Sequence, residues 1–195
     1  MSCTDRLNYK DYYHRNCNTE SRDSASNFYK LFIDLHEPAE ILLVNNNFCD
    51  NIYYTLGKGW KVELLLADGA GTPKAMAQEA IAHGVNVIGG GMSSFRAGKT
   101  YNAMALNYLQ IAPVIRQGFH AEVAKALVHG GYLLVEEFLS PHAVTDAAMQ
   151  DSLDEIVHEF PGVEMLYSEQ KEINFMSREG NITKARVLRL LGRKQ

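Results

Sequence analysis

Three places in this chain carry residues whose types and spacing could do chemistry. The first is the turn Asn45-Asn46-Asn47-Phe48-Cys49. It follows an apolar run, Ile41–Val44, and leads into a helix predicted to start near Phe48 and to stop at Gly57–Gly59. A second apolar run, Leu64–Leu66, comes next. In a strand–turn–helix–strand unit of this kind, a nucleotide-like ligand lies against the first turn. Such turns are normally glycine-rich, so that backbone N–H groups can approach the ligand closely. This turn has no glycine. Asparagine tolerates left-handed backbone, and its amide both donates and accepts, so the run is a partial substitute.

The second place is Glu136-Glu137, which closes an apolar strand at the edge of the sheet where α/β proteins hold ligands. Adjacent strand residues point to opposite faces, so the two carboxylates cannot work as a dyad. At most one faces a cleft, and the other caps an element or anchors a loop. The third is the set of histidines and cysteines. The seven histidines have no metal-ligand spacing, and His83 and His129 are expected at helix ends, where a cation complements the dipole. Cys3, Cys17 and Cys49 form no metal or disulfide pattern, so no metal is expected and a reduced, cytoplasmic setting is.

Two apparent phosphate-binding motifs fail on inspection. Gly69-Ala70-Gly71 opens a dinucleotide fingerprint, but Lys74 stands where its third glycine belongs, and it follows the second strand rather than the first. Gly98-Lys99-Thr100 has the ending of a P-loop, but Ser93 stands where that loop needs glycine and a strand follows. No nucleophile elbow is present.

The elements that would position these residues are readable from periodicity and punctuation. A length of 195 residues suits one core, and a net charge of −4 gives no strong attraction to nucleic acid or anionic membrane. Lys184, Arg186, Arg189, Arg193 and Lys194 form a modest basic cluster, read as a solvated face and frayed tail. The polar start predicts no secretory leader, and no apolar run reaches membrane-spanning length. Residues 1–23 read as an irregular lead-in or lid carrying Tyr12, Tyr13 and His14, and residues 24–195 as one domain.

A helix is predicted over Ser24–His36, capped by Ser24 or Ser26, with Phe28, Leu31, Phe32 and Leu35 on its apolar face. Thr72–His83 is another, with Met76, Ala77, Ala80 and Ile81 inward, Pro73 at its start and Gly84 as its left-handed stop. Helices are also predicted over Pro113–His129 and Thr145–Phe160. Strands are predicted over Val85–Ile88, Tyr101–Leu106 and Tyr132–Phe138, and as an antiparallel pair over Val163–Ser168 and Lys184–Leu191. The alternation implies an α/β, doubly wound, mostly parallel sheet of seven strands with its last strand antiparallel.

The second half resembles a known family. Ala126-Leu127-Val128-His129-Gly130-Gly131-Tyr132-Leu133-Leu134-Val135-Glu136-Glu137-Phe138 is similar to the "AL-K-P-G-G-hhhh-EEF" segment of small class I SAM-dependent methyltransferases, the tellurite-resistance and thiopurine-methyltransferase-like group. Residues 184–194 are similar to that group's last strand, and Asn51, Gly59 and Lys61-Val62 match positions in its first half. The resemblance covers roughly residues 24–195 and implies a Rossmann-like fold, SAM as cofactor and methyl transfer. It also implies where SAM would sit. The candidate cofactor residues are Asn45, Asn47, Cys49, Leu66, Gly91, Met92 and Asn107.

The departures from the family fall on these positions. The family's acidic residue for the ribose hydroxyls is Leu66, its aspartate for the adenine amino group is Gly91, and its glycine turn is Asn45–Cys49. The segment near the methyl group reads Leu109-Gln110-Ile111-Ala112-Pro113. Three functions are therefore weighed. The first is a methyltransferase-like protein with a degraded SAM site, binding SAM weakly or not at all and serving as a non-catalytic binding or scaffold protein for a protein partner or small molecule. The second is an active methyltransferase on a small soft or thiol-type acceptor, with a rebuilt pocket. The third is an enzyme using another ligand in the same cleft. No catalytic residue is assigned.

Overall fold

The computed structural model describes residues 19–21, 26–45, 49–66, 74–109, 111–139, 153–176 and 182–195. Eight strands form one sheet: β1 (Thr19–Ser21), β2 (Glu40–Asn45), β3 (Lys61–Leu66), β4 (Asn86–Ile88), β5 (Tyr101–Asn107), β6 (Leu127–Phe138), β7 (Val163–Met176) and β8 (Ile182–Lys194). Their order across the sheet is β1-β7-β8-β6-β5-β2-β3-β4. The helices are α1 (Asn27–Leu35), α2 (Cys49–Gly57), α3 (Lys74–Ala82), α4 (Gly91–Ser94), α5 (Pro113–Lys125) and α6 (residues 153–158). β8 runs antiparallel to both β6 and β7, while β2 to β6 are mutually parallel. The seven expected strands and the antiparallel last one are present, and β1 adds a short parallel strand to the outer edge of β7.

Alternation along the central strands divides the core in two. Leu42 and Val44 of β2 join Met104 and Leu106 of β5 and Phe119 and Val123 of α5 on one face. Ile41 and Leu43 join Ala103 and Ala105 and Phe28, Phe32 and Ile52 on the other. Strands buried on both faces need such unbroken apolar runs.

Local punctuation works largely as read. Ser26 Oγ accepts the Tyr29 N–H at 3.1 Å and caps α1. Pro113 opens α5, and Gly84 takes φ +78° after α3. Several expectations are corrected. The buried stripe of α1 is Phe28, Tyr29, Phe32 and Ile33, with Leu31 and Leu35 only half-buried. Ile81 is 59% exposed, because α3 lies over the short edge strand β4, which leaves little sheet to cover its far side. α5 ends at Lys125 and not at His129. The Ala126 carbonyl accepts the Tyr101 N–H at 2.8 Å, so the chain passes straight into β6 and His129 lies on a strand. Gly90 and Gly91, at φ +98° and +67°, turn the chain into the single helical turn α4, which periodicity over so few residues does not signal. The basic cluster is no frayed tail either. β8 continues to Lys194, and Arg189 is fully buried.

Candidate functional site

The topological switch of this sheet lies between β2 and β5, the neighbours from which the chain winds in opposite directions. Several of the candidate residues stand at the carboxyl ends of these strands. Asn45 is the last residue of β2, and Cys49 is the first of α2. Leu66 ends β3 in register with Asn45 and packs, partly buried, against the α1–α2–α3 side of the core. Asn107 ends β5. Gly91 begins α4, and Met92 is buried in the core on the α5 side. Asn47, Tyr12, Tyr13 and His14 lie outside the described residues.

Asn107 has the least ordinary environment of the set. Its alternation with Ala103 and Ala105 places it on the α1 face, where it is 1% exposed. Neither its Oδ1 nor its Nδ2 has a hydrogen-bond partner among the described residues. A buried amide in that state costs about 1–3 kcal/mol for each unmade bond. Asn51, buried in the first turn of α2, likewise has an unpartnered Oδ1. Tyr108 follows Asn107 at φ +51°, a left-handed conformation that a bulky residue adopts rarely. Its N–H donates to the Glu136 carbonyl at 2.5 Å, and its ring stacks on Phe138 at 4.4 Å. Backbone strain of this kind gathers at binding and catalytic sites.

Glu136 and Glu137 part to opposite faces, as the strand period requires. Glu136 lies in register with Asn107 and is fully buried. The Arg189 Nε donates to its Oε1 at 2.7 Å, while its Oε2 has no partner. The Arg189 guanidinium lies 5.5 Å from the Phe28 ring centroid, which places the pair on the α1 face. Glu137 is on the α5–α6 side, with Arg116 and Glu159 as its charged neighbours. Burial lifts its carboxyl to about 7, against a smaller lowering pull from Arg116. Its Oε1 is unpartnered. Beside it, Arg116 makes a fork of bonds to Glu159 at 2.7 to 3.1 Å, and His120 Nδ1 meets the same carboxylate at 2.6 Å. Burial pushes the His120 imidazole down to about 4, so at neutral pH it is uncharged and donates from Nδ1. Nothing in the spacing signals this trio, because Glu159 lies 43 residues from Arg116 and 39 from His120. Among the described residues no group of His, Cys, Asp and Glu is arranged to hold a metal ion.

No sequence-family profile matches the chain, and no curated protein does. Solved structures do match. TehB from Haemophilus influenzae superposes with a TM-score of 0.67 at 12% identity, over 86% of this chain and 61% of that one. The chain thus spans less than two thirds of TehB. The Burkholderia thailandensis 1,6-didemethyltoxoflavin-N1-methyltransferase, solved with 1,6-didemethyltoxoflavin and S-adenosylhomocysteine, gives 0.61 at 16% identity, over 86% and 76%. The glycopeptide N-methyltransferase MtfA complexed with SAM gives 0.62 at 14% identity, over 86% of each chain. The fold that strand order, antiparallel β8 and these likenesses define is that of the class I methyltransferases.

Proposed function

We propose that this chain is a methyltransferase-like protein whose SAM site is degraded and which acts without catalysis, binding a small molecule or a protein partner at the carboxyl edge of the sheet. The observation that carries the reading is Leu66. It ends β3 beside Asn45, where the resemblance calls for the carboxylate that takes the ribose hydroxyls, and it presents an apolar side chain packed on the core. A hydrogen bond to a charged group contributes about 1.5–3 kcal/mol, so this loss alone weakens SAM roughly tenfold to a hundredfold. Gly91 offers the adenine amino group no side chain, and the Asn45–Cys49 turn offers no glycine.

Calorimetric titration with SAM and S-adenosylhomocysteine tests this. The expected result is no binding below millimolar ligand, and a low-micromolar dissociation constant overturns it. Leu66→Asp with Gly91→Asp is expected to create binding. Aspartate tolerates the positive φ at Gly91 better than most residues do. If the double variant stays inert, the Asn45–Cys49 turn is the block.

One observation favours the active-methyltransferase reading. Asn107 keeps an unpartnered amide beside the strained Tyr108, as a residue held ready for a polar ligand would. Tight SAM binding in the same titration transfers the assignment to a methyltransferase acting on a small soft or thiol-type acceptor.

A further inference from the structure

We propose that the opposite, amino edge of the sheet carries a second ligand site, one for a small aromatic carboxylate. A groove of about 650 Å³ opens there between the end of α1, Trp60 and the starts of β5 and β6. That volume lies in the range of small-molecule sites. Its floor is bare backbone. A Cβ on Gly131 would lie 2.9 Å from the Val128 carbonyl and 3.1 Å from that of Asn102, so only glycine fits, and Gly130 beside it holds φ +78°.

The walls are aromatic and interlocked. Tyr132 meets His36 edge-on at 4.4 Å, and Phe32 supports both from beneath at 5.8 and 4.3 Å. His36 Nδ1 donates to the Phe32 carbonyl at 2.8 Å, which fixes the ring against the groove. A planar ring lies against such a wall better than an aliphatic chain does.

Two donors give the ligand its sign. Trp60 is 4% exposed and lines the groove, and its indole N–H has no acceptor among the described residues. An indole N–H can only donate, so what satisfies it is a lone pair. Arg193 stands in the same wall, its guanidinium 5.7 Å from the Tyr132 ring centroid and its Nε 3.4 Å from the Gly130 carbonyl. The groove's one carboxylate, Glu37, is exposed at the rim. A ring bearing a carboxylate supplies both the flat face and the acceptors. This site shares no residue with the carboxyl edge, so it stands whether or not SAM binds there.

Trp60 is the chain's single tryptophan, so its fluorescence reports the site directly. Benzoate is the probe, excited on the red edge of indole absorption where benzoate does not absorb. A saturable change in the millimolar range is expected. Benzamide, which keeps the ring and drops the charge, and inorganic phosphate, which keeps charge and drops the ring, should each bind at least about tenfold more weakly. Arg193→Gln should weaken benzoate about tenfold. Trp60→Phe, followed by saturation-transfer NMR on benzoate, should do so by a similar factor with the aromatic wall retained. Unchanged melting temperatures check that both variants are folded, and a rise in the wild-type melting temperature with benzoate gives a second readout. Asn107→Leu, at the other edge, should leave benzoate binding alone. Linear, unsaturable quenching overturns the proposal. So does equal binding of benzamide, or affinity unaffected by Arg193→Gln or Trp60→Phe.

Discussion

The two ends of the parallel strands are built from similar residues and treat them oppositely. At the amino edge, Glu63 accepts from Lys99 Nζ at 2.7 Å, from Tyr101 Oη at 2.7 Å and from Asn86 Nδ2 at 3.0 Å. Lys99 also pairs with Glu40, which in turn pairs with Lys61. Burial opposes ionisation of Glu63, yet these hydrogen bonds hold its carboxyl below the usual range. At the carboxyl edge, buried atoms of Asn51, Asn107, Glu136 and Glu137 have no partner among the described residues. The charged groups of the amino edge are bonded to one another, with the Trp60 N–H left over, whereas each of these four carboxyl-edge residues keeps a buried atom unbonded. A polar residue that completes a network serves the fold, whereas one buried without a partner is more economically explained by a ligand.

The sharpest way to break this contrast is Glu136→Ala. It removes the carboxylate to which the fully buried Arg189 donates at 2.7 Å, and it should lower unfolding free energy by about 3–5 kcal/mol in denaturant titration. Replacing both partners, Glu136→Leu with Arg189→Met, should restore most of that. If the single variant costs less than the double, the pair is not held as described.

A second test uses pH. Glu137 has its folded carboxyl raised from 4.5 to about 7, so the native state binds the proton more tightly than the unfolded chain. Its contribution is full below 4.5 and is lost as pH rises to 7, on the order of 3 kcal/mol in all. His120 works the other way. Its folded value falls from 6.5 to about 4, so stability is lost as pH drops through that window. The two slopes oppose each other between 4.5 and 6.5. Glu137→Gln should therefore unmask a rise in stability with pH from 4 to 6.5, measured as denaturation midpoints across buffers. A profile identical to wild type shows that Glu137 does not titrate in the fold as stated.

Much of the scaffold was legible because local signals and burial agree there. Ser26, Pro113, Gly84 and the runs Ile41–Val44 and Leu64–Leu66 act at or near their own positions. What failed to show depends on partners distant in sequence. Arg189 looks like one of five surface cations, and only the pairing of β6 with β8 brings it to Glu136, fifty-three residues away. Met92 reads as a loop residue until Gly90 and Gly91 turn it inward. Asn107 was legible as a position, at the end of a strand beside the switch point. That its amide lacks a partner is a fact of packing, which no spacing encodes.

The same contrast predicts smaller effects of opposite sign. Glu63→Ala removes the acceptor of Tyr101 and Asn86 and one of the two carboxylates that Lys99 holds, and should cost about 2–3 kcal/mol by chemical denaturation. Asn107→Leu, similar in size, removes two unpaired polar atoms and should be neutral or stabilising by about 1 kcal/mol. If Asn107→Leu costs as much as Glu63→Ala, the amide has a structural partner and the difference between the edges disappears.

The antiparallel placement of β8 has a consequence for the order in which the protein can be made. β8 lies between β6 and β7 but is synthesised after both. While it is still inside the ribosome, β7 has no neighbour on that side, and Glu136 waits without its counter-ion. The nascent chain can assemble β2 to β6 and their helices, yet it cannot seal the α1 face until Arg189 emerges. Synthesis from one end thus makes closure of the sheet wait for β8, and leaves a chain arrested before it with two open strand edges, β6 and β7, for chaperones and proteases to detect.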